Sequence, residues 1–354
     1  MKRKSMKRMD SHLKSVVLFM VCFIVLAWLS AAGFTQKACA AETLNIMMNG
    51  GAYEKLARKL VVEPFEKKYN VQVSITPGSG AQMLTRLRAE KMNSSQDCVI
   101  IDMGPAVTGF GEDLFEKIDP ANIPNLKDMD DLVLDKRGYG PIVHSHSIGL
   151  AYNAKMMNKP IPESWMDLWK PAYKDTLLLV NITLTPGYLF LLQVAMQNGG
   201  SYENIDPGIE KIKQLRPNVR RFAQGMAEIR SSLQSEDILT VCGPNIPFEE
   251  AQKGGMPIKA IFPKEGNVLS PATAQVVRGT KKKDLAEKFI NEYLSPESQL
   301  GWAVEYNIAT FNKKVQLPAE VKERLPAKNI LYDFEKISRN LEKWIEKFTK
   351  EVKM

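Results

Sequence analysis

Cysteine is scarce in this chain, and the signature motifs of several enzyme classes are missing. Of 354 residues, four are cysteine and three are histidine. Cys22 and Cys39 lie in the first forty residues, which leaves Cys98 and Cys242 for the rest. Both sit in apolar, strand-like runs, where cysteine acts as a small buried hydrophobe. An oxidising compartment would permit a disulfide between them. No G-x-x-x-x-G-K-[ST] phosphate loop occurs, so ATP hydrolysis would belong to another chain. There is no G-x-S-x-G elbow and no H-E-x-x-H pair. Scattered Ser, His and Asp do not define a triad. Beyond residue 40 no apolar run is long enough to span a membrane, and no low-complexity segment appears. The expectation is a non-enzyme without a cofactor.

What is there begins with a leader. Lys2, Arg3, Lys4, Lys7, Arg8 and Lys14 form a basic start, 16–32 is apolar, and Ala38-Cys39-Ala40 before Ala41 is an A-x-A site. Residues 1–40 therefore read as a cleaved signal peptide, with an uncleaved anchor as the competing reading. A lipoprotein fits less well, because Gln36-Lys37-Ala38 lacks the leucine expected before Cys39. The leader also changes the charge argument. It holds seven of the 48 Lys/Arg and one of the 40 Asp/Glu. The remainder carries 41 basic and 39 acidic residues, a net of +2 instead of +8, which gives no support to nucleic-acid binding. The remaining length, about 310 residues, exceeds what one core usually serves, so two lobes are expected.

Strand and helix patterns alternate, which argues α/β architecture. Strands are expected at 44–48, 71–75, 98–101, 150–153, 177–180, 238–241, 258–262 and 274–277. Helices are expected at 53–69 (disturbed at Pro64), 81–91, 188–197, 209–215 and 282–294. A last helix carries Leu331, Phe334, Ile337, Leu341, Trp344, Ile345 and Phe348 as one apolar stripe, which is expected to dock on its own lobe. The run Ser164-Trp165-Met166-Asp167-Leu168-Trp169 reads as a short capped helix with one aromatic face, broken at Pro171.

That run, continued as Lys170-Pro171-Ala172-Tyr173-Lys174 and a leucine-rich strand, resembles the solute-binding proteins of bacterial ABC importers. The similarity is greatest to the spermidine/putrescine and ferric-iron cluster. It extends through Gly50-Gly51-Ala52-Tyr53, Gly78-Ser79-Gly80-Ala81, Gly149-Leu150-Ala151-Tyr152-Asn153 and Phe262-Pro263-Lys264-Glu265-Gly266, nearly the whole chain beyond the leader. The resemblance implies a two-lobed type II periplasmic binding fold with a mixed sheet in each lobe. The first lobe would be 43–145 plus 268–312, the second 146–267 plus C-terminal helices in 313–354. It also implies a periplasmic monomer that captures a small molecule and delivers it to a membrane permease and its ATPase subunit. It puts Cys98 and Cys242 in different lobes, so no disulfide is expected. A sensory partner of a membrane receptor is the alternative role.

The resemblance and the helix starts together supply candidate ligand contacts. Gly51 and Tyr53 match an early cleft site, where Gly50 replaces a tryptophan of the polyamine binders. Ser79 and Gly80 open one helix, and Thr183 and Thr185 precede another; helix starts present free N–H groups and the positive dipole end. Asp102 ends a strand at a cleft position. Ser270 and Thr273 stand where polyamine binders carry a tryptophan and an aspartate. Asn245 and Tyr306 match cleft-facing places, and His146 joins them through the pair His144-x-His146. This pair could also coordinate a metal. No adjacent Tyr-Tyr of the ferric binders occurs, and polyamine binding would lack its usual acids. The expected ligand is therefore anionic or zwitterionic, with Asp102 reserved for an amino group; a polyamine is the alternative.

Overall fold

The computed structural model describes residues 41–155, 160–234, 240–325 and 328–352. The expected leader, and Ile238 and Leu239 of one expected strand, lie outside the described residues.

β1 (Thr43–Met48) leads into α1 (Ala52–Ala57), which passes through one π turn (Arg58–Val62) into α2 (Glu63–Tyr69). Pro64 explains the wide turn: it has no N–H to donate to the Leu60 carbonyl, and its ring crowds that carbonyl. Then come β2 (Gln72–Pro77), α3 (Gly80–Glu90), β3 (Cys98–Asp102), α4 (Met103–Gly111) and β4 (Phe115–Glu116). β5 (Ile142–Asn153) crosses to a second set: β6 (Leu177–Val180), α5 (Thr185–Gln197), α6 (Asp206–Leu215), β7 (Val219–Ala223) and α7 (Met226–Gln234). β8 (Thr240–Pro244), α8 (Asn245–Lys253) and β9 (Ile258–Ile261) complete that set. β10 (Asn267–Val277) crosses back, followed by α9 (Lys283–Tyr293) and α10 (Pro296–Tyr306). The chain closes with α11 (Ala319–Lys322), β11 (Asn329–Ile330) and α12 (Phe334–Glu351).

The strand order is β2-β1-β3-β10-β5-β8-β6-β7. β1 runs parallel to β2 and β3, and β6 runs parallel to β8 and β7. The antiparallel pair β5 and β10 joins the two parallel groups, with a register shift at Ala272/Thr273. One core gathers Leu44, Ile46, Phe65, Phe289 and Trp302; another gathers Trp165, Leu177, Leu189, Trp344 and Phe348. The stripe of α12 docks on the second of these, as its periodicity predicts. Cys98 and Cys242 are both buried and free. No helix among the described residues is long and apolar enough to cross a membrane.

The two crossing strands are far longer than the expected 150–153 and 274–277. Their polar residues hide the apolar signal that sequence patterning relies on, yet all of β10 is buried. Two of the internal polar groups reach backbone far away in the chain: Thr273 Oγ1 donates to the Pro141 carbonyl at 2.7 Å, and Gln275 Nε2 to the Gly140 carbonyl at 2.8 Å. Helix α4 was also missed, since its Met-Gly-Pro-Ala-Val-Thr-Gly-Phe-Gly sequence has poor helix propensity. Tertiary contact requires two of its glycines. A Cβ on Gly109 would fall 2.4 Å from Phe115, and one on Gly104 2.6 Å from the Tyr188 hydroxyl.

The Ser164 run is a 3-10 turn (Trp165–Trp169) with the expected capping box. Ser164 Oγ accepts the Met166 N–H at 3.1 Å, and Asp167 accepts the Ser164 N–H at 3.2 Å. Trp165 is wholly buried and donates Nε1–H to the Gly266 carbonyl at 2.9 Å; Trp169 donates to the Lys211 carbonyl at 2.7 Å. The most recognisable motif of the chain is thus an anchor of the second core.

Candidate ligand-binding cleft

Where parallel strands end and helices begin, backbone N–H groups are left without intrahelical partners. In this fold those junctions converge on a cleft of about 810 Å³. β1 delivers Asn49, Gly50 and Gly51, the last with φ of +74°, and Tyr53 follows in α1. β2 delivers Pro77 and Gly78, and Ser79 and Gly80 open α3. β3 ends at Asp102, just before α4. Across the cleft stand Thr185 at the start of α5, Gln224 and Gly225 before α7, and Pro244 before α8. His146 of β5 and Ser270 of β10, paired in register, join them from the crossing strands. Ligands of open α/β sheets bind at such carboxyl ends of strands.

The helix starts differ in how far they are already capped. Ser79 is used by its own helix: Gln82 Oε1 accepts the Ser79 N–H at 2.8 Å, and Ser79 Oγ accepts the Gln82 N–H at 3.4 Å. At α7, Glu228 accepts the Gln224 N–H at 2.8 Å. Helix α5 has no side-chain cap. The Leu184 carbonyl accepts the Gly187 and Tyr188 amides, and Pro186 has no N–H, so Thr185 presents the backbone donor. Its hydroxyl lies 3.2 Å from that of Tyr188. An uncapped helix start favours an anionic group.

Asp102 supplies the opposite chemistry. It holds the N-cap position of α4 without making a cap hydrogen bond. Burial pushes its carboxyl up from the ordinary range to about 6. A carboxylate so placed gains from an incoming cationic donor.

Beneath the cleft lies a stacked cluster. The Tyr53 and Tyr293 hydroxyls are 2.7 Å apart. The His144 ring lies 5.1 Å from Trp302 and 5.7 Å from Tyr293, each tilted by 15°. His144 is wholly buried and neither ring nitrogen has a protein partner; the same holds for Nδ1 of His146. Burial drives the His146 pKa down to about 4 and His144 well below its usual value, with His146 nearby adding to the latter shift. Both rings are therefore neutral near pH 7. Among the described residues no group of three or more His, Cys, Asp or Glu is placed to hold a metal.

Eight of the residues expected at the site line the cleft: Gly51, Tyr53, Ser79, Gly80, Asp102, His146, Thr185 and Ser270. Four do not. Thr183 turns away, its N–H and hydroxyl bonded to Asn181 Oδ1. Thr273 is buried inside β10 and bonded to the Pro141 carbonyl. Asn245 accepts the Ser147 N–H at 3.2 Å and donates to the Tyr306 carbonyl at 2.6 Å, tying α8 to the end of α10. Tyr306 lies under the Lys253 ammonium, 4.4 Å from its ring centre. Sequence reasoning missed Asn49, Gln82, Gln224, Arg230 and Glu250, which also line the cleft. The helices carrying Arg230 and Glu250, α7 and α8, went unread. Arg86 and Arg88 of α3 are taken up by ion pairs with Glu90 and Glu112.

The model of the bacterial extracellular solute-binding proteins matches residues 61–327. The chain belongs to this family. Relatives of this binding protein include a gamma-aminobutyric acid-binding protein of Pseudomonas aeruginosa, 26% identical over 85% of this chain and 88% of its own length. A spermidine/putrescine-binding periplasmic protein of Escherichia coli is 25% identical over 67% and 69%. A crystal structure of an ABC transporter from Clostridium perfringens superposes with a TM-score of 0.73 at 26% identity, covering 87% of this chain and 99% of its own. The fold is the two-lobed α/β fold of periplasmic binding proteins. The protein is the substrate-binding component of an ABC importer, and it serves outside the cytoplasmic membrane, as its relatives do.

Proposed function

We propose that the solute is a small zwitterion, with its ammonium at Asp102 and its carboxylate or phosphonate toward the uncapped start of α5. The observation that carries this reading is the pairing of opposites across one cleft. Asp102 is a half-buried carboxylate that caps nothing, and Thr185 opens a helix without a cap. A charge-assisted hydrogen bond to each end contributes about 1.5–3 kcal/mol. The lobes would be 43–145 with 268–312, and 146–267 with 313–354, closing about the β5–β10 crossing by population shift. The chain would reach the periplasm through a cleaved leader and, as a monomer, hand its solute to a permease coupled to an ATPase. The relative named for gamma-aminobutyric acid supports an amino-acid-like ligand.

A second reading, a polyamine, draws on Glu250, which gives the cleft a second acid, and on the relatives named for spermidine and putrescine. A thermal-shift and titration panel separates the two readings, using the chain from Ala41 with 4-aminobutyrate, β-alanine, 2-aminoethylphosphonate, putrescine and spermidine. Ligand at 100 times Kd stabilises the native state by about 2.7 kcal/mol. A shift with zwitterions and none with diamines supports the proposal; the reverse supports the polyamine reading.

A further inference from the structure

Three charged side chains line the cleft among the described residues: Asp102, Arg230 and Glu250. Arg230 of α7 donates Nη1–H to Glu250 of α8 at 3.2 Å. Both helices start at the cleft, so the pair stands on the side facing Asp102. Its arrangement sets the electrostatic character of the whole cavity. With Arg230 present, Glu250 is neutralised and the cleft carries one net negative charge, at Asp102. Without Arg230 it would carry two, the complement of a dication.

We propose that Arg230 is the specificity-determining residue of this cleft. It occupies Glu250, so a second ammonium finds no free acid, and it offers its guanidinium to the anionic end of the solute. The arginine side chain is 49% exposed and the glutamate 22%. An ion pair this open to solvent is worth little, about 0–1 kcal/mol. Exchanging Glu250 for a ligand carboxylate or phosphonate is therefore nearly neutral in the pair itself, while the planar fork gains a bidentate partner. Discrimination here rests on the repulsive element as much as on the attractive one. The inference deepens the zwitterion reading and rests on it for the identity of the anionic end. The exclusion of diamines by Arg230 stands separately.

The test is calorimetric titration of 4-aminobutyrate and putrescine into the wild type, Arg230→Gln, Arg230→Lys and Glu250→Gln. Arg230→Gln is expected to weaken 4-aminobutyrate at least tenfold and to strengthen putrescine at least tenfold. Arg230→Lys, which keeps the charge, is expected to hold putrescine at the wild-type level. Glu250→Gln removes the second acid and is expected to leave putrescine no tighter than in the wild type. A wild type that prefers putrescine contradicts the zwitterion reading, yet a further tenfold gain in Arg230→Gln still supports the role of Arg230. A wild type that binds neither ligand leaves the same criterion: putrescine binding acquired by Arg230→Gln supports the proposal. A ratio of the two affinities unchanged within threefold in Arg230→Gln overturns it, as does the absence of both ligands from that variant. Should Arg230→Gln fail to fold, Glu250→Gln decides: tighter putrescine binding there overturns the proposal.

Discussion

The Trp165 anchor and the cleft floor are both built from polar and aromatic residues, yet they treat their polar atoms in opposite ways. At the anchor each has a partner. The Trp165 and Trp169 indoles reach carbonyls, Ser164 and Asp167 cap each other, and Ser164 also bonds to Glu265. On the floor, Asp102 caps nothing and three imidazole nitrogens of His144 and His146 have no protein partner. Buried polar groups are normally satisfied, and leaving one unmade costs about 1–3 kcal/mol. The anchor is thus optimised for stability, whereas the floor retains unmet capacity that a solute or bound solvent can use.

The largest effect that would sharpen this contrast is at the anchor. Trp165→Ala removes a wholly buried side chain and its indole hydrogen bond. It is expected to destabilise the protein by about 3–5 kcal/mol in urea unfolding, while the protein that remains folded binds solute with wild-type affinity. A loss of affinity equal to that of a cleft variant would break the division between the two regions.

Asp102→Asn is expected to act in the opposite direction on stability. The folded-state pKa of Asp102 is raised to about 6, above its unfolded value. Its contribution to stability is therefore fully present below the unfolded pKa and lost as pH rises through about 6. Replacing it should raise the melting temperature of the ligand-free protein at pH 7.5 by about 2–4 °C, with no gain below pH 4. Solute affinity should fall at least tenfold, corresponding to about 1.4 kcal/mol. A variant that melts lower at pH 7.5 would show that the carboxylate is structurally satisfied after all.

The smallest effect concerns His144. Its folded-state pKa and that of His146 are depressed, so their contribution is present above the unfolded value and lost as pH falls toward the folded one. His144→Phe keeps the stack on Trp302 and Tyr293 and removes the group that must stay neutral. It is expected to shift the melting temperature little at pH 8 and to flatten its decline between pH 6.5 and 4.5. An unchanged slope would indicate that other groups govern acid unfolding.

Much of this contrast was legible in the sequence. Ser164 three residues before Asp167 announced its cap, and the stripe of Phe334, Ile337, Trp344 and Phe348 announced a docked helix, because both signals are local. Thr185 could be placed at the cleft from its helix start, and Asp102 from the family resemblance at the end of its strand. The crossing strands were under-read because residues such as Thr273 and Gln275 are buried and polar, and their acceptability depends on distant partners, the Pro141 and Gly140 carbonyls. Asn245 and Thr273 were expected at the cleft, yet they bind the backbone of Tyr306 and Pro141. Arg230 and Glu250 escaped notice because neither sits in a motif, and only the packing of α7 beside α8 brings them together. Sequence reading reached residues whose role follows from their neighbours in the chain and stopped where it follows from neighbours in space.

The central claim is that an ammonium meets the Asp102 carboxylate, and proton exchange on binding tests it most directly. Titration of the tightest-binding zwitterion at pH 6, in buffers of different ionisation enthalpy, counts the protons moved. With the free carboxyl near 6 and the bound one driven lower, the account predicts release of about half a proton per solute at pH 6. It predicts none at pH 8 and none in Asp102→Asn. Binding at pH 6 with no proton exchange, or with uptake, would contradict it.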